Sequence, residues 1–191
     1  MPAGPNVVIL RPTRKLRSFL PATDVVPATS DTALGDWYVN RIVIDKRPLL
    51  LLVSSTSLLP ILVPARDVRR LRSRLAELVS ARLKRCGIDD ETIAAEAEAM
   101  SQVAVGPTVD RSVVGIMVDF AKALPSYLEP GRWDDATLEA VEARLAETPC
   151  RAARSFGQVI FPDRKAPELL RATWPRHGGP QLPSGGWTAV H

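Results

Sequence analysis

The sequence predicts an α+β fold: a small, mostly antiparallel sheet with a central hairpin, covered by several amphipathic helices. Three observations carry this expectation. Trp37 to Ile44 is rich in aromatic and β-branched residues, Asp45-Lys46-Arg47-Pro48 reads as a tight polar turn, and Leu49 to Val53 is a bare apolar run of strand length. Val68, Leu71, Leu75, Leu78, Val79, Leu83 and Cys86 recur at three- and four-residue spacing and spell the clearest helix. Val113, Ile116, Met117, Phe120 and Leu124 repeat that pattern in another. Strands joined through a short turn pair locally, which argues against a doubly wound parallel sheet.

Each element follows in order. Val7 to Leu10 reads as a short strand, and Thr13 to Leu20 as a basic helix-like turn capped by Thr13, with Leu16, Phe19 and Leu20 on one face. Pro21 to Asp31, with its prolines and small polar residues, is a loop leading to the hairpin. Thr56 to Val63 is expected to form one or two helical turns, stopped at Pro64. Gly87 is a natural C-cap for the long helix. Asp89 or Asp90 starts the next helix, to about Met100. Ser101 to Val105 alternates as a strand, Asp110 caps a helix that ends before Pro125, and Asp134 or Asp135 opens a last helix to about Glu147. The expected organisation is a single α+β domain over 1–147 and a Pro/Gly-rich C-terminal extension over 148–191, partly docked or flexible. Within that extension Gly157 to Phe161 reads as an edge strand, and Trp174 and Trp187 as docking points.

A 46% hydrophobic content across 191 residues is enough for a substantial core. The N-terminal apolar run Val7 to Leu10 is too short for a secretory signal, and Leu49 to Val63 is broken by Ser54 to Ser57 and Pro60 below membrane-spanning length. Cys86 and Cys150 match no metal or redox spacing and read as ordinary thiols of a reducing cytoplasm. His177 and His191 both lie in the extension, which argues against a histidine-based triad in the core. No Gly-rich phosphate loop follows a strand, no zinc spacing exists, and no cofactor motif or recognisable catalytic motif is present.

Charge is more telling. Residues 1–88 carry 15 Lys and Arg against 6 Asp and Glu, whereas residues 89–191 carry 10 against 15, so the halves are +9 and −5 within a net charge of +4. That asymmetry fits a nucleic acid or protein partner for the basic half, docking of the two halves on each other, or a homo-oligomer pairing the basic half of one copy with the acidic half of the next. Arginine outnumbers lysine 20 to 5, which a GC-rich genome produces without functional demand.

Three constellations are candidate sites. On helical spacing, Arg66, Arg70 and Arg74 fall at i, i+4 and i+8, with Arg69 and Arg72 beside them, as a cationic stripe that the helix dipole disfavours near its N-terminus. Phosphates, carboxylates of the second half, or Asp67 and Glu77 would compensate it. With Arg11, Arg14, Lys15 and Arg17 it would form a phosphate-tracking surface. The same stripe fits a solvated helix face. Second, Arg111, Gly115 and Asp119 share one polar stripe, where a helical glycine suggests close approach of another backbone or a ligand. Third, Asp36, Asn40 and Arg41 interrupt apolar faces beside Trp37 and Tyr38, and would be satisfied by pairs such as Asp36 with Arg111 and Asn40 with Asp119, or would line a pocket.

LRPT at Leu10 to Thr13, GDWYVNRIVID at Gly35 to Asp45 and DRSVVGIMVD at Asp110 to Asp119 resemble a family of uncharacterised bacterial domains known only as a domain of unknown function. The resemblance spans residues 7–125 and implies coherence as a domain rather than a substrate. The function expected from the residues is a cytoplasmic binding or accessory module contacting nucleic acid or a protein partner through an arginine-rich helix face. The alternative is a metal-assisted hydrolase acting on a phosphodiester, with Asp36 and Asp119 holding a divalent ion.

Overall fold

The computed structural model of the chain describes residues 6–129, 131, 134–151 and 158–175. Strands β1 (Val7–Pro12), β2 (Trp37–Ile44), β3 (Arg47–Ser54), β4 (Pro60–Pro64) and β5 (Gln102–Val105) form one sheet in the order β4-β3-β2-β1-β5. The β2–β3 and β3–β4 ladders are antiparallel and hold most of the paired residues, while β1 pairs in parallel with β2 and β5. The fold is α+β, with the expected hairpin at the centre of its sheet. Its turn is tighter than the sequence suggests. Arg47 and Pro48 already belong to β3, leaving Asp45 and Lys46 as a two-residue loop with φ of 47° and 64°. Positive φ at both positions gives the twist that flanking strands need.

Period-two alternation then divides the core. Trp37, Val39, Leu50, Leu52, Ile61 and Val63 face one side, under α1 (Leu71–Arg85), α2 (Asp90–Ala99) and α5 (Pro162–Thr173). Tyr38, Ile42, Leu49, Leu51, Val53 and Leu62 face the other, under α3 (Arg111–Tyr127) and α4 (Asp135–Ala146). The caps match the expected acidic starts: Asp89, Asp110 and Asp134 accept backbone N–H bonds from Thr92, Ser112 and Thr137. Gly35, in the GDWY motif, sits at φ +68°, and a Cβ there would stand 2.5 Å from Ser55 Oγ. Only glycine fits that contact.

Several expectations change. Thr56 to Val63 is not helical: Leu58 at φ +60° turns the chain, and Pro60–Pro64 becomes β4 at the sheet edge. Short apolar runs have no period that separates strand from helix. Prolines suit this edge because they present no outward N–H. The segment before α1 is a 3-10 helix over Ala65–Arg70. Thr13 does not cap its short 3-10 turn (Arg14–Leu16); its hydroxyl donates to Asn40 Oδ1 at 2.8 Å. Helix α3 continues through Pro125, which falls in its last turn.

The C-terminal extension contains a helix that its prolines disguise. Pro162 occupies the first turn, where a missing N–H costs nothing, and Ala166 and Leu170 are buried. Ile160 bridges Cys150 rather than extending an edge strand. Trp174 docks as expected, donating from Nε1 to Glu96 Oε2 at 2.7 Å. Gly157, His177, Trp187 and His191 lie outside the described residues. Among the described residues no helix is long and apolar enough to cross a membrane.

Candidate functional site

Beyond Val39 and Leu50 the hairpin runs out from under α1, and the two 3-10 turns flank its exposed end. Their chain segments enclose a groove of about 350 Å³. Leu16, Leu50 and Val68 make its floor, and Phe19 stands at its wall. The shared face of Leu16, Phe19 and Leu20 is only partly buried: the first and last are covered, whereas the Phe19 ring is 44% exposed. Arg41, Arg66 and Arg69 supply the charge. Arg14, Lys15 and Arg17 extend from the same turn that carries Leu16 and Phe19 and are exposed.

The register of this basic surface differs from the α-helical one. A 3-10 helix has three residues per turn, so residues at i and i+3 eclipse. Arg66 and Arg69 therefore stack on one line and share the groove, while Arg70 is exposed and lines none of the described hollows. Among the described residues no carboxylate lies within ion-pair distance of Arg14, Lys15, Arg17, Arg41, Arg66 or Arg69. Arg74 is different. It pairs with Glu77 at 3.0 Å and Asp67 at 3.7 Å, and those carboxylates hold its pKa above the ordinary value, the Glu77 hydrogen bond first. Of the expected stripe, two arginines meet in an uncompensated groove and one is neutralised in cis.

The other nominated residues do not converge. Trp37 is fully buried on the α1 side. Asn40 is spent on Thr13. Arg111, Gly115 and Asp119 are exposed on the outer face of α3. A Cβ on Gly115 would meet nothing within 4 Å, so the close approach suggested by a helical glycine does not occur. Gly115→Ala is expected to raise stability by up to about 1 kcal/mol in urea denaturation; a loss of stability would contradict this open surroundings.

The Asp36 partners also differ from those expected. Its carboxylate pairs with Arg11 and accepts from Ser30 Oγ at 2.6 Å, and Arg11 also donates to Pro107 O at 2.7 Å. Arg11 is consequently a core residue, 5% exposed, rather than part of the basic surface. Both Asp36 oxygens are thus occupied by protein donors, and Asp119 is exposed on the outer face of α3. The described residues hold no cluster of three or more His, Cys, Asp or Glu able to bind a metal. Burial, reinforced by Asp119, pushes the Cys150 thiol up to about 11. Burial likewise raises Cys86 despite Arg82 and Arg85 nearby. Both shifts disfavour the thiolate, the reactive form.

Two buried carboxylates escaped the sequence reading. Glu96, fully buried, accepts from Ala33 N at 2.9 Å, Leu34 N at 3.1 Å and Trp174 Nε1. Glu142 accepts the outward N–H of edge-strand residue Leu62 at 2.7 Å and binds Arg85 at 2.7 Å and Arg82 at 3.5 Å. Burial raises the pKa of both, with those donors pulling it back. Their sequence signal is position alone: Glu142 adjoins the buried Val141, and Glu96 sits among alanines.

No curated protein and no solved structure matches the chain. A family model described as Domain of unknown function (DUF6933) matches residues 9–165. The match runs well past residue 125, where the resemblance in the sequence stops, and past the expected domain boundary at 147, taking in α4 and the start of α5. The Arg66–Arg69 groove, the Glu142 cluster and Glu96 therefore all belong to the matched region, and the chain is a member of this DUF6933 family.

Proposed function

We propose that the protein is a cytoplasmic binding module for single-stranded nucleic acid, with the groove under Phe19 as its contact surface. The observation that carries this reading is the set of uncompensated cations around an apolar floor with an exposed aromatic ring. Solvated arginines usually find carboxylates when these are near, as Arg74 and Arg85 do. Five arginines and Lys15 that find none concentrate positive potential where phosphates would release counterions. Phe19 offers the sequence-tolerant stacking surface that single strands use, worth about 1–3 kcal/mol per base. Guanidinium groups of Arg41, Arg66 and Arg69 bind phosphate in bidentate fashion or stack on a base. The two free cysteines, Cys86 and Cys150, are in keeping with a reducing compartment.

The test is fluorescence polarisation with a labelled oligouridylate at low salt. Wild-type protein binds, and the slope of log affinity against log salt falls by about two when Arg66 and Arg69 are both replaced by alanine. Arg70→Ala, one position away, changes affinity less than about twofold, because the 3-10 register turns it off the groove. Equal losses from Arg69→Ala and Arg70→Ala would replace the groove by diffuse surface charge. Binding of polyglutamate as tight as that of RNA would point instead to an acidic protein partner.

A further inference from the structure

The basic groove does not end at Arg69. That side chain also lines a second hollow of about 510 Å³, with Arg72, Ser73 and Met100, and Arg72 in turn lines a third of about 540 Å³ along the free edge of β5. Arg66, Arg69 and Arg72 succeed one another every three residues, and the 3-10 rise of about 2 Å per residue spaces the first two by ~6 Å, close to the step between phosphates on an extended strand. Each hollow falls within the roughly 300–1,000 Å³ range of small-ligand sites.

The chemistry changes along this path. At the Phe19 end it is aromatic and cationic. At the β5 end Arg72 is joined by the apolar Val25 and Pro27 and by the neutral hydrogen-bonding groups of Thr23, Ser101 and Gln102. Gln102 N and Gly106 N donate to Asn6 O and Leu10 O, so even-numbered residues of this segment face β1, and Val103 and Val105 present their backbone groups outward. Thr23 takes both backbone groups of Val105. Arg72 Nε takes Val103 O at 3.0 Å. Among the described residues the Val103 N–H is left over, beside the exposed Gln102 and Ser101.

Resting on the single-strand reading above, we infer that the three hollows form one binding path, and that its ligand is a strand of about four nucleotides or more rather than a mononucleotide or a duplex. Phosphates follow Arg66, Arg69 and Arg72, one base stacks on Phe19, and sugar or base edges at the far end meet the Val103 N–H and Gln102. A duplex presents its backbones on a rigid cylinder that cannot enter a trough bounded by the two 3-10 turns.

Fluorescein-labelled oligouridylates of increasing length, and an RNA hairpin duplex, titrated by fluorescence polarisation at one low salt concentration, test this. Affinity is expected to climb steeply from the dinucleotide to about the tetranucleotide and then to flatten. Arg72→Ala weakens the hexanucleotide roughly tenfold and leaves the dinucleotide unchanged. Because Arg72 also braces Val103, a second variant, Gln102→Ala, removes only an exposed neutral side chain; it weakens the hexanucleotide a few-fold without altering the salt slope. Equal affinity for dinucleotide and hexanucleotide, equal affinity for the duplex, or an Arg72→Ala effect that is the same at every length would overturn the extended path while leaving the Phe19 groove intact. Failure of every length to bind would instead remove the groove reading and the path together.

Discussion

Glu142→Ala is expected to destabilise the fold by roughly 3–5 kcal/mol, the cost of leaving a buried ionic partner uncompensated. Glu142 is 1% exposed and Arg82 4%. Arg82 reaches Pro60 O through Nε at 3.2 Å and the Glu142 carbonyl through Nη2 at 3.4 Å, so it cannot swing out to water without releasing the strand it braces. Removing the carboxylate leaves that guanidinium buried with two carbonyls and the Cys86 thiol as its partners and no countercharge among them, and it also strips the acceptor from the outward Leu62 N–H. A buried donor without an acceptor adds about 1–3 kcal/mol. Urea denaturation of the single variant, and of Glu142→Leu with Arg82→Met, separates the causes. The double apolar replacement recovers much of the loss, since a buried ion pair exchanged for packed hydrocarbon is often neutral. A single-variant loss below about 1 kcal/mol would mean that water reaches the cluster and that the charges are not buried in solution.

Glu96→Ala removes the acceptor for three N–H donors at once, and a loss on the order of 3 kcal/mol is expected at about 1 kcal/mol or more for each. It also frees the indole of Trp174, so its fluorescence shifts toward that of a solvated tryptophan. The pH dependence has a definite sign. Burial raises the folded-state pKa of Glu96 above the ordinary carboxylate value, so between those two values the folded state binds more protons than the unfolded one. Stability contributed by Glu96 is therefore full near and below the ordinary value and falls as pH rises through the raised one. No cation lies within ion-pair distance of Glu96 among the described residues to reverse this. Melting temperatures measured from mildly acidic to neutral pH should decline less steeply in Glu96→Gln than in wild type. An identical slope in the two proteins would refute a raised Glu96.

How far the molecule was legible depends on the range of each interaction. The hairpin, the α1 and α3 periodicities, and the acidic starts of α2, α3 and α4 to within a residue were readable, because each is decided within a turn or two of chain. The candidate site was legible only as a concentration of arginine. Its register was misread because α and 3-10 spacing differ by less than one residue per turn, and the choice between them was made where β4 hands the chain to α1. Leu16, Phe19 and Leu20 share one face by their spacing, yet only Leu16 and Leu20 are covered. Helix α5 was obscured by Pro162 and Pro167, yet the first of these sits where proline is tolerated.

A buried hairpin, amphipathic helices to cover it, and an excess of positive charge in the first half follow from residue order. Tertiary structure alone decided which charges are free. Arg11 meets Asp36 25 residues away, Glu142 meets Leu62 across 80, and Trp174 meets Glu96 across 78. Local periodicity carries no information about such partners, and the desolvation that makes them obligatory exists only once the layers have closed. What closure leaves unpaired, at the open end of the hairpin, is the surface available for a ligand.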